Sequence, residues 1–165
     1  MNAPYNGKFQ VTQVQHENHD GLDLVGLDSK EIYATVNGTV IYSGWENPSD
    51  KSQGFGLFVC IHSPEMQGYF YYGHLSETKV KTGDKVKITD TIGIEGNTGK
   101  STGSHCHYCA RPEFKAGKAF SISDISGIPN KLGVYDDGYR PGLKEQTHRI
   151  EIYIDGQRKY SGLLD

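Results

Sequence analysis

No stretch of the 165-residue sequence approaches the roughly 18 consecutive apolar residues that a membrane-spanning helix requires, so no membrane partner is expected. The chain opens without a basic-then-apolar leader, and no signal peptide is expected either. Neither sign of charge dominates, with 17 basic against 20 acidic residues and no long basic run, which gives a nucleic-acid partner nothing to hold. Cysteine is scarce. Three residues, Cys60, Cys106 and Cys109, are too few and too odd a count for a disulfide framework, and reduced thiols are the expectation. Long apolar patterns of helical period are also few. In their place stand 21 glycines, 11 tyrosines and short runs of β-branched and aromatic residues, which point to a mostly β protein. The length fits one domain, 1–165, and a monomer is expected.

The runs alternate with turn signals. Glu31 to Val36 and Thr39 to Tyr42 flank Asn37-Gly38, a pair that favours a two-residue hairpin because both positions tolerate positive φ. Leu57 to Ile61 and Gly68 to Gly73 read as buried strands. Thr82-Gly83-Asp84 marks a tight turn between Lys79-Val80-Lys81 and Lys85 to Ile88. Thr91 to Ile94 and His105 to Arg111 are further strands, joined by the glycine-rich segment Glu95 to Gly103. Beyond Pro112 one short helix is expected at Ile122 to Ser126, then a loop over Gly127 to Gly142. The alternation Arg149 to Ile154, Asp155-Gly156 and Gln157 to Leu163 reads as a terminal hairpin appended to the main sheet. The fold expected is an antiparallel β-sandwich or sheet core with an open groove, over about 15–112, followed by a C-terminal extension, 113–165.

The chemistry concentrates in Gly103-Ser104-His105-Cys106-His107-Tyr108-Cys109. On a strand, residues i and i+2 share a face, so His105 and His107 point one way, Cys106 and Tyr108 the other, and Cys109 returns to the histidine face. The four histidines and cysteines therefore cannot all reach one ion. Cys106 reads as a small buried apolar residue. A Cys106-x-x-Cys109 redox pair needs a helix N-terminus to acidify its thiol, and the context here is a strand. A catalytic zinc takes three protein ligands and keeps one position open, so further ligands must come from elsewhere. His19 and Asp23, four apart, share a face in a helix or a strand alike. His16 and Asp20 repeat that spacing, but Gly21 and the apolar Leu22 and Leu24 around Asp23 favour the later pair. His74 follows the tyrosine-rich strand. His62 and His148 read as structural or solvated, Trp45 as packing, and Tyr69, Tyr71 and Tyr72 as a mixture of core and groove.

Taken in order, these pieces resemble the lysostaphin-type zinc endopeptidases of bacterial peptidoglycan. The likeness runs through His19-x-x-x-Asp23, Tyr33-Ala34, Asn37-Gly38-Thr39-Val40, Gly54 to Val59, Tyr72-Gly73-His74-Leu75-Ser76, Val80 to Val86, Gly96-Asn97-Thr98-Gly99 and Ser101-Thr102-Gly103, and ends on His105-Cys106-His107. The resemblance implies Zn2+ held by His19, Asp23 and His107, with His74 and His105 as the catalytic pair and a peptidoglycan peptide as substrate. Two departures stand out. Cys106 replaces an apolar residue between the paired histidines, and Tyr108-Cys109 replaces an aromatic-acidic pair. Three other readings compete: a non-catalytic wall-binding or partner-binding relative, a phosphocarrier on a related β-sandwich, and a structural zinc site built on Cys106 and Cys109. A phage-encoded lysis component and a domain of a larger secreted wall hydrolase both suit the expected absence of a leader, with the phage source slightly preferred.

Overall fold

The computed structural model describes residues 1–138 and the backbone of 149–154 and 157–163. In chain order the strands are β1 (Lys8–Gln13), β2 (Leu22–Gly26), β3 (Glu31–Tyr33), β4 (Gly38–Trp45), β5 (Leu57–Ser63), β6 (Gly68–Leu75), β7 (Glu77–Thr78), β8 (Lys85–Val86), β9 (Thr91–Ile94) and β10 (Cys106–Arg111). A single-turn helix α1 (Ile122–Ser126) precedes β11 (Gly133–Asp136), β12 (Arg149–Ile154) and β13 (Gln157–Leu163). One large antiparallel sheet runs β11-β1-β2-β10-β6-β5-β4-β8, and a small one runs β3-β9-β7. The mostly β, antiparallel architecture is as expected.

Period-two side-chain alternation makes two apolar layers. From the large sheet, Leu22, Leu24, Tyr72, Cys106 and Tyr108 point to one face and meet Ile32 and Ile92 of the small sheet in the main core. The opposite face carries a smaller cluster of Phe58, Cys60, Tyr71 and Cys109, with Phe55 and Tyr42 packed on it. Strands β5 and β6 are buried on both faces, which is why they read as nearly continuous apolar runs. Thr35 ties the main core together: its hydroxyl lies 2.7 Å from the Tyr72 hydroxyl and 2.8 Å from that of Tyr108.

Several local expectations meet a different outcome. The Asn37-Gly38 hairpin does not form. Neither residue takes positive φ, and β3 pairs with β9 while β4 pairs with β5 and β8. Residues 34–37 instead cross between the sheets: Ala34 exchanges backbone hydrogen bonds with Thr89 and Asp90, and Asn37 caps the Ile88 amide. The turn at Thr82 to Asp84 does form, with Gly83 at φ +98°. Its flanks do not pair with each other: β8 joins β4, and the Lys79 amide bonds the Ile92 carbonyl of β9. The segment expected as loop after Gly127 contains β11, an edge strand on β1. The helix falls at Ile122–Ser126 as expected, capped by Ser121 at its start and closed by left-handed Gly127. Strands β12 and β13 pair as the expected hairpin, but in a two-stranded sheet of their own. His148, Asp155 and Gly156 lie outside the described residues.

Candidate active site

Strand register alone brings two of the singled-out residues together. His107 of β10 sits directly opposite Asp23 of β2 and, on its other side, opposite Gly73 of β6. Both side chains leave the sheet on the face of the smaller cluster, where the Phe55 ring packs 5.6 Å from the His107 ring. Chain direction adds the third. Residues 16–19 form a tight loop closed by reciprocal backbone hydrogen bonds between His16 and His19. Gly21 then lets the chain lie flat on β10: a Cβ there would stand 2.4 Å from the Tyr108 carbonyl oxygen and 3.0 Å from His107 Nε2. His19 is thereby carried over Asp23, while His16, its ring 5.7 Å from that of His19, stays exposed.

Three ligand atoms converge. Asp23 Oδ1 lies 3.1 Å from His19 Nε2 and 2.8 Å from His107 Nδ1, and the three groups fit within 4.8 Å of one another. Two imidazole nitrogens and one carboxylate oxygen at that spacing are a donor set suited to zinc, and they leave an open side. On that side stand His74 and His105, whose rings are 4.7 Å apart; His105 Nε2 is 3.6 Å from Asp23 Oδ2. All five residues line one groove of about 610 Å³, together with Ser52, Lys100 and Thr102.

The backbone sets the tautomer of three of the four imidazoles. A carbonyl oxygen can only accept, so a ring nitrogen bonded to one carries the proton. His19 Nδ1 donates to the Val14 carbonyl at 2.9 Å, His74 Nδ1 to Thr98 at 2.7 Å, and His105 Nδ1 to Gly103 at 2.8 Å. Each therefore presents Nε2 to the groove. His107 is turned the other way: Nδ1 faces Asp23, and Nε2 meets Asp20 Oδ1 at 3.0 Å. His74, the penultimate residue of β6, lies in the left-handed region at φ +62°, a conformation costing an unbranched side chain about 1 kcal/mol. It is held by a 2.7 Å hydrogen bond from the His74 amide to the Phe55 carbonyl. The groove wall beside it is two loops packed backbone to backbone through Gly56 and Gly99, both at positive φ, where a Cβ on either would collide with the other's amide nitrogen.

The charges follow from these contacts. Burial raises the Asp23 pKa, yet its contacts with the His107 and His19 rings hold it well below the usual carboxylate range. Burial opposes protonation of His107, but Asp20 and Asp23 overcome it and raise its pKa. Burial, with the neighbouring His105 adding to it, lowers the His74 pKa to about 4, so its ring is neutral at physiological pH.

The cysteines take no part as a redox pair. Cys106 enters the main core and Cys109 the opposite cluster, both are buried, and burial pushes both thiols up. Cys109 does lie on the histidine face, beside Asp20 and the Nε2 edge of His107. Sequence reasoning missed the roles of Asp20 and Arg111. The only signal was the repeated His-x-x-x-Asp spacing that had set Asp20 aside as the weaker copy.

Comparison with known proteins gives the chain its family. The description of peptidase family M23 matches residues 17–120. The chain is 54% identical over 147 residues to the peptidoglycan DD-endopeptidase ShyA of Vibrio cholerae, covering 84% of this chain and 31% of that protein. Among solved structures, the catalytic domain of lysostaphin from Staphylococcus simulans superposes with a TM-score of 0.59 at 26% identity, covering 75% of this chain and 93% of that one. A catalytic domain of the prophage-encoded M23 protein EnpA from Enterococcus faecalis gives 0.60 at 27% identity, covering 73% and 94%. The chain spans less than a third of the length of the curated relatives it matches. With a match across more than half of its residues, the chain belongs to peptidase family M23.

Proposed function

We propose that this chain is a zinc-dependent endopeptidase domain that hydrolyses peptide bonds in bacterial peptidoglycan. The observation that carries the reading is the convergence of His19 Nε2, Asp23 Oδ1 and His107 Nδ1 beside two further histidines whose tautomers leave Nε2 facing the same groove. When bound, zinc supplies Lewis acidity toward the scissile carbonyl and lowers the pKa of the attacking water.

The remaining work belongs to the chain. His74, neutral and with its Nε2 lone pair toward the groove, accepts the proton of the attacking water. Its Thr98 anchor strengthens that basic nitrogen and stops the ring from turning. His105 stands nearer the groove mouth and hydrogen-bonds the developing oxyanion or protonates the leaving amine when its Nε2 carries a proton. The groove is open and edged by the segment Gly96 to Gly103, which suits an extended peptide of small residues. ShyA's name supports a peptidoglycan crosslink as the target, and the same likeness favours a cell-encoded wall hydrolase; the prophage-encoded neighbour is what supports a phage source.

The test is release of new amino groups from purified peptidoglycan by metal-stripped protein, before and after zinc is restored. Release that appears only with zinc supports the reading, and the new terminal residues name the bond. Binding of zinc with no release from several wall types would overturn it.

A further inference from the structure

His107 differs from the other three histidines in what holds its outer nitrogen. His19, His74 and His105 rest on neutral backbone carbonyls. His107 Nε2 rests on a carboxylate, Asp20 Oδ1, at 3.0 Å. That carboxylate is itself held. Its other oxygen accepts a charge-assisted hydrogen bond from the Arg111 guanidinium, and Arg111 lies four residues after His107 on the same face of β10. The Asp20 backbone is pinned as well. Gln15 Nε2 donates both to the Asp20 carbonyl at 3.0 Å and to the Phe120 carbonyl at 2.7 Å, while Gln15 Oε1 accepts from the Ile122 amide at 2.9 Å. Gly21, which no larger residue could replace without striking β10, sets Asp20 alongside the imidazole edge.

We infer that Asp20 is a positioning residue, braced by Arg111, that fixes His107 with its proton on Nε2 and its Nδ1 lone pair directed at the metal position. The inference rests on the zinc reading above and extends it outward from His19, Asp23 and His107. An imidazole whose outer N–H is donated to a carboxylate is a more basic ligand and cannot flip. Arg111 keeps the carboxylate in the orientation that serves His107, and its positive charge stops Asp20 from competing as a ligand. Asp20 and Arg111 line a cavity bounded by His16, Glu17 and Lys118, and neither is among the residues lining the groove that holds His19, Asp23, His74, His105 and His107.

The experiment measures zinc affinity of the whole chain by competition with a fluorescent chelator, for the unaltered protein and for Asp20→Ala, Asp20→Asn, Arg111→Met and His107→Ala. Loss of roughly 10- to 100-fold in affinity is expected for Asp20→Ala, in the range seen when such outer partners are removed. Asp20→Asn keeps an acceptor oxygen and should lose less; Arg111→Met should lose only a few-fold. Nitrogen-15 NMR of the zinc-loaded protein should show His107 protonated at Nε2, with that proton exchanging faster in Asp20→Asn, a signature a merely structural aspartate would not move. Circular dichroism of the metal-free variants identifies any that fail to fold, in which case Asp20→Asn and Arg111→Met carry the test. Unchanged affinity in Asp20→Ala, with zinc lost in His107→Ala, would overturn this inference and leave the zinc reading standing. Two ions per chain falling to one in Asp20→Ala would overturn it differently, making Asp20 a direct ligand. No zinc bound by the unaltered chain would overturn both.

Discussion

Asp23 and His107 are cross-strand register partners, and Asp23 Oδ1 lies 2.8 Å from His107 Nδ1. Eighty-four residues apart in sequence, they meet because β2 and β10 are neighbours in the large sheet, and the pairing gives the candidate metal position a rigid floor.

That floor separates two kinds of histidine. His107→Ala is expected to lose both zinc and hydrolysis. His74→Ala should keep stoichiometric zinc and lose activity by at least about 100-fold, the range for removal of a general acid or base. Metal content by atomic absorption, alongside amine release, decides the matter; zinc lost from His74→Ala would reverse the assignment.

Gly21 is a steric requirement. A methyl group there meets the Tyr108 carbonyl oxygen at 2.4 Å and Cys109 Cβ at 2.8 Å, both on a central strand that cannot yield. Gly21→Ala should destabilise the metal-free protein by about 1–3 kcal/mol, the usual cost of overpacking, and weaken zinc binding as His19 is pushed off Asp23. A urea titration and the chelator assay read the two effects separately.

Thr35 is a stability residue remote from the chemistry. Replacing it with valine preserves shape and leaves the backbone amide bonded to Tyr72, but removes the hydroxyl that meets both the Tyr72 and Tyr108 hydroxyls. Thr35→Val is expected to cost about 1–3 kcal/mol in the urea midpoint, the penalty for stranding buried polar groups, with hydrolysis per folded molecule unchanged.

Glu95 predicts an acid limb. Burial raises its pKa, but Lys30, Ser104, Tyr5 and the Gly26 amide together hold it below the usual value. A carboxylate whose folded pKa is depressed contributes stability above its unfolded pKa, near 4.3, and that contribution is lost as pH falls through the folded value. Glu95→Gln should therefore lower stability at pH 7 and flatten the fall below about pH 4. Because Ser104 adjoins His105, reduced activity is expected too. Denaturant midpoints at pH 7 and pH 3.5 check the sign.

The residues of the candidate site were picked out by their order along the chain and its resemblance to a family, since each motif alone reads equally well as surface. The fold was legible where local signals stand uncontested, as in Thr91 to Ile94 and the helix between Ser121 and Gly127. It was misread where a turn signal competes with distant partners. Asn37-Gly38 has the composition of a hairpin, yet Thr35 is worth more to the chain bonded to Tyr72 and Tyr108 in the core, and that contact draws the backbone across the sandwich. Strand β11 was invisible because its pattern is weak and its pairing with β1 depends on an edge more than a hundred residues away.

By itself the sequence determined which donor types are on offer, the division of β10 into a core face and a site face, and the order of motifs along the chain, because these follow from residue type and period. Only the tertiary structure decided which atoms converge. It carried His19 over Asp23 through a glycine that admits close packing, gave three imidazoles their tautomers through backbone carbonyls, and turned Asp20 from a discarded repeat into the brace behind His107. Those outcomes depend on distances across strands, and a distance between residues far apart in the chain is set by how the whole sheet packs.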